Sequence, residues 1–306
     1  MKTNTKKIFE YANRKNVAIC AFNVSNLETM QAVIEGAIEE NVPVIVSASE
    51  SAIKYAGLNV LVSMFDALTS QTKLPMALHL DHGASYDICK KCIAAGFSSV
   101  MFDGSALGFD ENVAITRKVV TLAHRHNVTV EAELGRIMGV EDAVVSKSSI
   151  LTDPQEAQEF VRRTGCDSLA ISIGTAHGIN KSTSTPKIYY DVIDGVSRAL
   201  PGGYPLVAHG SSCVPQALVE NINRFGGNIK KSQGIALADL EKMKKTAICK
   251  INMDTDLRLA FTSGVREFLS TNPDVFDPRK ILAAGRTAVK TQVKTMLTLL
   301  SKSSAV

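Results

Sequence analysis

The chain of 306 residues contains no tryptophan and only six cysteines, and the cysteines are scattered along it. That pattern fits reduced thiols in a cytosolic protein better than a disulfide scaffold. Cys89 and Cys92 form one Cys-x-x-Cys, a spacing used by redox and zinc motifs, but no second pair accompanies it. We read them as two small apolar residues one helical turn apart. No run of about 18 apolar residues occurs, so no membrane span is expected. The start, Met1 to Lys7, lacks the apolar stretch of a secretory leader, which leads us to expect a cytoplasmic protein. No dense basic stretch stands out and the net charge is only +4, so nucleic acid is not an expected partner. No phosphate-loop pattern surrounds Gly226, Gly227 or Gly234. No linker or low-complexity segment divides the chain, and residues 1–306 read as a single domain.

What is present is a repeat. Eight short apolar, β-branched runs alternate with amphipathic helical patterns: Val17–Phe22, Val44–Ser47, Met76–His79, Ser99–Phe102, Thr129–Ala132, Ser168–Ser172, Leu206–Ala208 and Ile248–Asn252. Their starts lie about 33 residues apart, the length of a βα unit and not of a hairpin. Continuous apolar strands suit a parallel sheet covered on both faces. Helices are predicted between them, among them Leu27–Glu40 and Ile88–Ala95, the latter capped by Gly96. Eight such units predict an α/β fold of one (β/α)₈ TIM barrel, with a doubly wound sheet as the second reading.

In a barrel, polar residues at the C-terminal ends of strands face the site. The eight ends read Asn23, Ser49, Asp81 with His82, Asp103, Glu133, His177, His209, and Asn252 with Asp254 and Thr255. One such residue is explained by a turn or a cap; all eight together are not. Of the six histidines, His124 and His126 sit near a helix end, and His79 reads as a packed residue inside a strand. His82, His177 and His209 each follow a strand and precede a glycine. Three histidines with a fourth position open is the layout of a catalytic zinc site, provided the fold brings them together.

The motifs Leu78-His79-Leu80-Asp81-His82-Gly83, Val100-Met101-Phe102-Asp103, Glu131-Ala132-Glu133-Leu134-Gly135, Gly174-Thr175-Ala176-His177-Gly178, His209-Gly210-Ser211-Ser212 and Lys250-Ile251-Asn252-Met253-Asp254-Thr255-Asp256 occur in that order. With them the chain resembles the class II fructose-bisphosphate aldolases along nearly its whole length. The tagatose-bisphosphate aldolases share most of the pattern and stand as the alternative. The resemblance implies a lyase of glycolysis and gluconeogenesis. Such an enzyme reversibly cleaves fructose 1,6-bisphosphate to dihydroxyacetone phosphate and glyceraldehyde 3-phosphate. It implies catalytic Zn²⁺ on His82, His177 and His209, with Asp103 and Glu133 at a second or displaced metal position and room for a monovalent cation. It implies that Asp81 gives and takes the proton and that Glu141, in a mobile loop within Gly139 to Ser149, is the base on the donor substrate. Gly178, Gly210, Ser211, Ser212, Asn252, Asp254 and Thr255 are implied to hold dihydroxyacetone phosphate, and Asn23 and Ser49 to lie near the aldehyde half. Arg258 and Arg279 are implied to reach the far phosphate, partly across a subunit interface. The family is typically a homodimer or larger.

The chain departs from the family pattern at Ser211, at Cys213-Val214-Pro215, at Ala106 and in the short run after Gly178. These departures touch loops and leave every ligand in place. Three other readings remain open: a Schiff-base aldolase using Lys250, a sugar-phosphate sensor without catalysis, and a barrel whose polar rim is incidental.

Overall fold

In a computed structural model, the barrel strands are β1 (Ile19–Asn23), β2 (Val44–Ser49), β3 (Met76–Gly83), β4 (Ser99–Phe102), β5 (Thr129–Leu134), β8 (Ser168–Ile171), β10 (Leu206–Ala208) and β11 (Ile248–Met253). They close, all parallel, in the order β1-β11-β10-β8-β5-β4-β3-β2. The sequence expectation of a (β/α)₈ barrel is met, with each strand near its predicted place. The helices are α1 (Thr5–Lys15), α2 (Leu27–Glu40), α3 (Glu50–Ala56), α4 (Leu58–Thr69), α5 (Tyr86–Ala95), α6 (Phe109–Arg125), α7 (Pro154–Thr164), α8 (Tyr190–Ala199), α9 (Gln216–Arg224), α10 (Leu237–Met243), α11 (Thr255–Thr271) and α12 (Pro278–Leu300). Helix α2 has the predicted bounds, and Gly96 ends α5 in the left-handed conformation expected of it.

The structure describes residues 1–306 except 142–143, 147–149, 178–184, 231 and 303–306; for 138–141, 144–146 and 177 it describes the backbone alone. Within the segment read as a loop from Gly139, a small ribbon appears. Strands β6 (Met138–Glu141) and β7 (Val144–Ser146) pair antiparallel, and β6 also pairs in parallel with β9 (Ala176–His177). Apolar alternation over three or four residues is too short to read as a strand, and the ladder supplies the order.

Strand alternation sorts the side chains, because successive residues point to opposite faces. Cys20, Phe22, Val44, Val46, Leu78, Leu80, Val130, Ala132 and Ile251 face outward and join the core beneath the helices. Ile19, Ala21, Ile45 and Ala77 face the other way and meet Ile8, Phe9 and Ala12 of α1, which plugs the barrel bottom. The same inward face carries His79 and Asp81 on β3, Glu131 and Glu133 on β5, and Lys250 and Asn252 on β11. The barrel is thus apolar at its base and increasingly polar toward the C-terminal ends of its strands.

Candidate metal centre and active site

His82 sits where β3 breaks its pairing with β4: the register shifts between Leu80 and Gly83, and His82 has φ 47°. A non-glycine residue in the left-handed region carries strain that the surroundings must hold in place. Gly83 makes the turn possible, since a Cβ there would lie 2.6 Å from the Met101 carbonyl oxygen. The bulge directs the His82 ring to Asp103, whose Oδ2 accepts from Nδ1 at 2.9 Å, while Glu133 Oε2 lies 3.8 Å from the same nitrogen. Asp103 also accepts from the Ser105 amide at 3.0 Å. Burial pushes the Asp103 carboxyl upward, but the hydrogen bond and charge of His82 hold it below the usual carboxylate range.

His209 follows β10 and lies against His82, ring centroids 4.5 Å apart and nearly perpendicular. Its Nε2 donates to Glu131 Oε1 at 2.9 Å, and its Nδ1 stands 3.3 Å from the Asn252 amide nitrogen. Burial, and then the charge of His82, lowers the His209 pKa. Glu131 Oε2 accepts from Lys250 Nζ at 2.7 Å, and Lys250 also meets His79 Nε2 at 3.1 Å. His79 Nδ1 is 2.8 Å from Ser99 Oγ. Burial and the neighbouring Lys250 charge take the His79 pKa down to about 3. Burial raises Glu131, but Lys250 and then His209 keep it ionised, well below the carboxylate norm.

Asp81, fully buried, is held from both sides: Asn23 Nδ2 donates to Oδ2 at 2.8 Å and Asn252 Nδ2 to Oδ1 at 2.9 Å. Ligand atoms of Asp81, His82 and His209 lie within 4.8 Å of one another, as do those of His82, Asp103 and Glu133. Several buried carboxylates around two imidazoles form a hard and borderline donor set that fits a divalent cation, because burying such charge without a cation is costly. Glu131 was not among the expected site residues, and Lys250 was named for the imine reading alone. The signal that could have found them is strand period: each lies two residues before an expected one, on the same face.

His177 ends β9, where the carbonyl oxygen of its neighbour Ala176 would lie 2.6 Å from a Cβ at Gly210. The backbone of β9 therefore runs against the turn after β10, where Gly210 has φ 63°. The His177 and Glu141 side chains, and Gly178 altogether, lie outside the described residues.

Beyond Gly210, Ser211 turns inward, its Oγ donating to the Ala208 and His209 carbonyls at 3.4 and 3.2 Å. Ser212 Oγ accepts from the Asp254 amide at 3.4 Å. Asp256, buried in the first turn of α11 just after Thr255, accepts from the Cys213 and Val214 amides at 2.9 and 2.8 Å. That contact holds Val214, a β-branched residue, at φ 52°. Asn23, Ser49, Asp254 and Arg258 line one cavity of about 520 Å³ with Ser51 and Tyr55. Ser49 spends its hydroxyl on the N-terminus of α3. Arg258 is largely exposed and grips Asp254 with two nitrogens at 2.8 and 2.7 Å. Arg279, side chain 89% exposed at the start of α12, pairs with Asp277 and is not brought to this cavity within one chain. A larger cavity, about 990 Å³, lies on the outer face against α5 and α6 and is lined by none of the site residues.

Lys250 Nζ, 0% exposed and bonded to Glu131 and His79, lies behind the centre, which disfavours the imine reading. Cys89 and Cys92 are both buried in α5, as the apolar reading expects. His124 is not merely solvated: its Nε2 pairs with Asp167 at 2.9 Å.

Comparison with known proteins agrees with the geometry. A family model described as "Fructose-bisphosphate aldolase class-II" matches residues 3–305. A fructose-bisphosphate aldolase of Thermus caldophilus is 46% identical, covering 96% of both chains. One of Treponema pallidum (strain Nichols) is 44% identical over 94% of this chain and 92% of that one. Among solved structures, the YdjI aldolase from Escherichia coli K12 superposes with a TM-score of 0.78 at 29% identity, over 99% of this chain and 98% of that one.

Proposed function

The chain belongs to the class II fructose-bisphosphate aldolase family, and from that premise we propose how its residues divide the work of cleaving fructose 1,6-bisphosphate. The observation that carries the reading is the Asp81 carboxylate, fixed by Asn23 and Asn252 beside the ligand atoms of His82 and His209. Residues 1–306 act as one barrel domain. Zn²⁺ would be held by His82, His209 and His177, with Asp103 and Glu133 offering a second position, and a monovalent cation belongs to the same reading.

A bound divalent cation supplies Lewis-acid polarisation of the C2 carbonyl. Asp81 takes the proton of the C4 hydroxyl; C4 becomes the aldehyde carbon of glyceraldehyde 3-phosphate as the C3–C4 bond breaks. The bond's electron pair stays with the donor half, and Glu141 delivers the proton to the carbon that becomes C1 of dihydroxyacetone phosphate. In the reverse direction the same two groups exchange roles. Two asparagine amides on one carboxylate keep Asp81 aimed, as a base needs. The segments at Gly178, Gly210 to Ser212 and Asn252 to Thr255 bind the donor phosphate, helped by the N-terminus of α11. Because Asp256 occupies the amides of Cys213 and Val214, the phosphate falls to the residues before them. Asn23 and Ser49 border the aldehyde half, and Arg258 and a neighbouring subunit's Arg279 take the far phosphate within a homodimer or larger assembly.

The test is cleavage of fructose and tagatose bisphosphates in parallel, with and without a strong chelator, plus borohydride treatment with dihydroxyacetone phosphate. We expect chelator-sensitive cleavage, preference for the fructose isomer and no trapped adduct. Cleavage that survives chelation with an adduct on Lys250 would overturn the metal mechanism. Glu141→Ala is expected to slow proton exchange on dihydroxyacetone phosphate by about 10²–10⁴-fold.

A further inference from the structure

The buried side chains Ser99, His79, Lys250, Glu131 and His209 form one hydrogen-bonded line across five strands, and its far end is a residue of the metal centre. We propose that Lys250 is a positioning residue: it clamps Glu131 from beneath the site, and Glu131 in turn fixes which nitrogen His209 presents to the metal. The inference rests on the reading of His209 as a ligand.

A lysine is almost never fully buried unless it is paired, and Lys250 is 0% exposed. Its charge meets Glu131 Oε2, while Oε1 of the same carboxylate takes the proton of His209 Nε2. Each carboxylate oxygen therefore has its own partner from a different strand, β11 for one and the end of β10 for the other. Glu131 cannot rotate toward or away from His209 without stretching the contact with Lys250. With Nε2 carrying the proton, Nδ1 is the acceptor, and the Asn252 amide approaches that nitrogen at 3.3 Å. Both observations select the same tautomer, and a metal bound at Nδ1 would take the lone pair that the Asn252 amide faces.

Lys250 is itself anchored. His79 accepts from it at Nε2 and so donates from Nδ1 to Ser99, which settles the tautomer of that ring too. His82 is supported by Asp103, which accepts in turn from the Ser105 amide. A metal-ligating histidine commonly gives its other nitrogen to a carboxylate, and loss of such a partner typically costs about 10–100-fold in metal affinity. The lysine extends this arrangement by one residue. It adds no atom to the site, yet it determines where the supporting carboxylate can be. A lysine serving only to balance charge would have no such effect once the charge of Glu131 was removed with it.

The experiment measures Zn²⁺ affinity by competition with a chromophoric chelator, with unfolding of the metal-free protein followed separately. Lys250→Met is expected to weaken Zn²⁺ binding about 10–100-fold, with kcat largely recovered at saturating Zn²⁺. Because that variant strands a buried carboxylate, the double variant Lys250→Met with Glu131→Gln is the second arm. It carries no unpaired charge and is expected to unfold near the wild-type temperature while keeping the affinity deficit. Wild-type Zn²⁺ affinity in the double variant, or in Lys250→Met alone, would overturn the proposal. His209→Ala separates the two readings: if the wild type and His209→Ala bind Zn²⁺ equally, His209 is no ligand and the functional reading fails first. If His209→Ala binds weakly while both Lys250 variants bind normally, only the positioning role fails.

Discussion

The two ends of the site are built in opposite ways. At the metal end, Asp81, His82, Glu131, His209 and Lys250 are buried, and their hydrogen bonds join different strands. At the outer end, Arg258 is largely exposed and paired with an acid four residues away in sequence. The inner groups cannot move singly, because each bond fixes a second residue and the low dielectric penalises any polar atom left alone. In the proposed reading Arg258 exchanges its local carboxylate for a phosphate at little cost, since exposed ion pairs contribute only about 0–1 kcal/mol. The contrast matches the demands on each end: proton transfer needs preset geometry, whereas holding a phosphate tolerates a side chain that arrives with the substrate.

Chelation should have the largest effect. Removing the metal is expected to abolish cleavage, with Zn²⁺ restoring it, while the metal-free barrel keeps its far-ultraviolet circular dichroism. Full activity after exhaustive dialysis against chelator would erase the distinction between the ends. Next comes Asp81→Ala, expected to lower cleavage by about 10²–10⁴-fold while proton exchange on dihydroxyacetone phosphate persists. Cleavage at the wild-type rate would show that Asp81 is not the group that moves the C4 hydroxyl proton.

Between the two ends lies Asp256. Asp256→Ala strands the amides of Cys213 and Val214 and releases a strained backbone. It should destabilise the protein by about 1–3 kcal/mol for each donor left unpaired, read as a lower Tm, and raise KM through the loosened loop. An unchanged Tm would place this loop with the adaptable end. The smallest effect is expected from Arg258→Ala. Its Tm should hardly change, while kcat/KM for fructose bisphosphate falls about tenfold, as for one charge-assisted hydrogen bond of about 1.5 kcal/mol. The preference over tagatose bisphosphate should narrow with it. An unchanged ratio would remove Arg258 from the far phosphate.

Much of this molecule was legible without its fold. Hydrophobic runs at βα spacing indicated eight strands, and the barrel closes through them with Leu206–Ala208 and Ser99–Phe102 at the predicted bounds. Histidines and acids at strand ends marked His82, His209, Asp81, Asp103 and Glu133, because only a C-terminal rim brings residues so distant in sequence to one place. The roles of Asn23 and Asn252 were less legible. They were expected to touch substrate, yet both donate to Asp81, and no spacing along the chain encodes a contact between β1, β3 and β11.

The sequence by itself determined the repeat and the candidate ligating residues at the strand ends, since those follow from side-chain chemistry and βα spacing. Tertiary structure alone decided what each polar group leans on. Closure of the barrel sets Lys250 against Glu131 across 119 positions of sequence and Glu131 against His209 across 78. Those pairings depend on how strands that are not neighbours in sequence are staggered around the barrel, and local pattern carries no record of stagger. The same closure gave Lys250 its buried place, because the interior had a carboxylate to offer its charge.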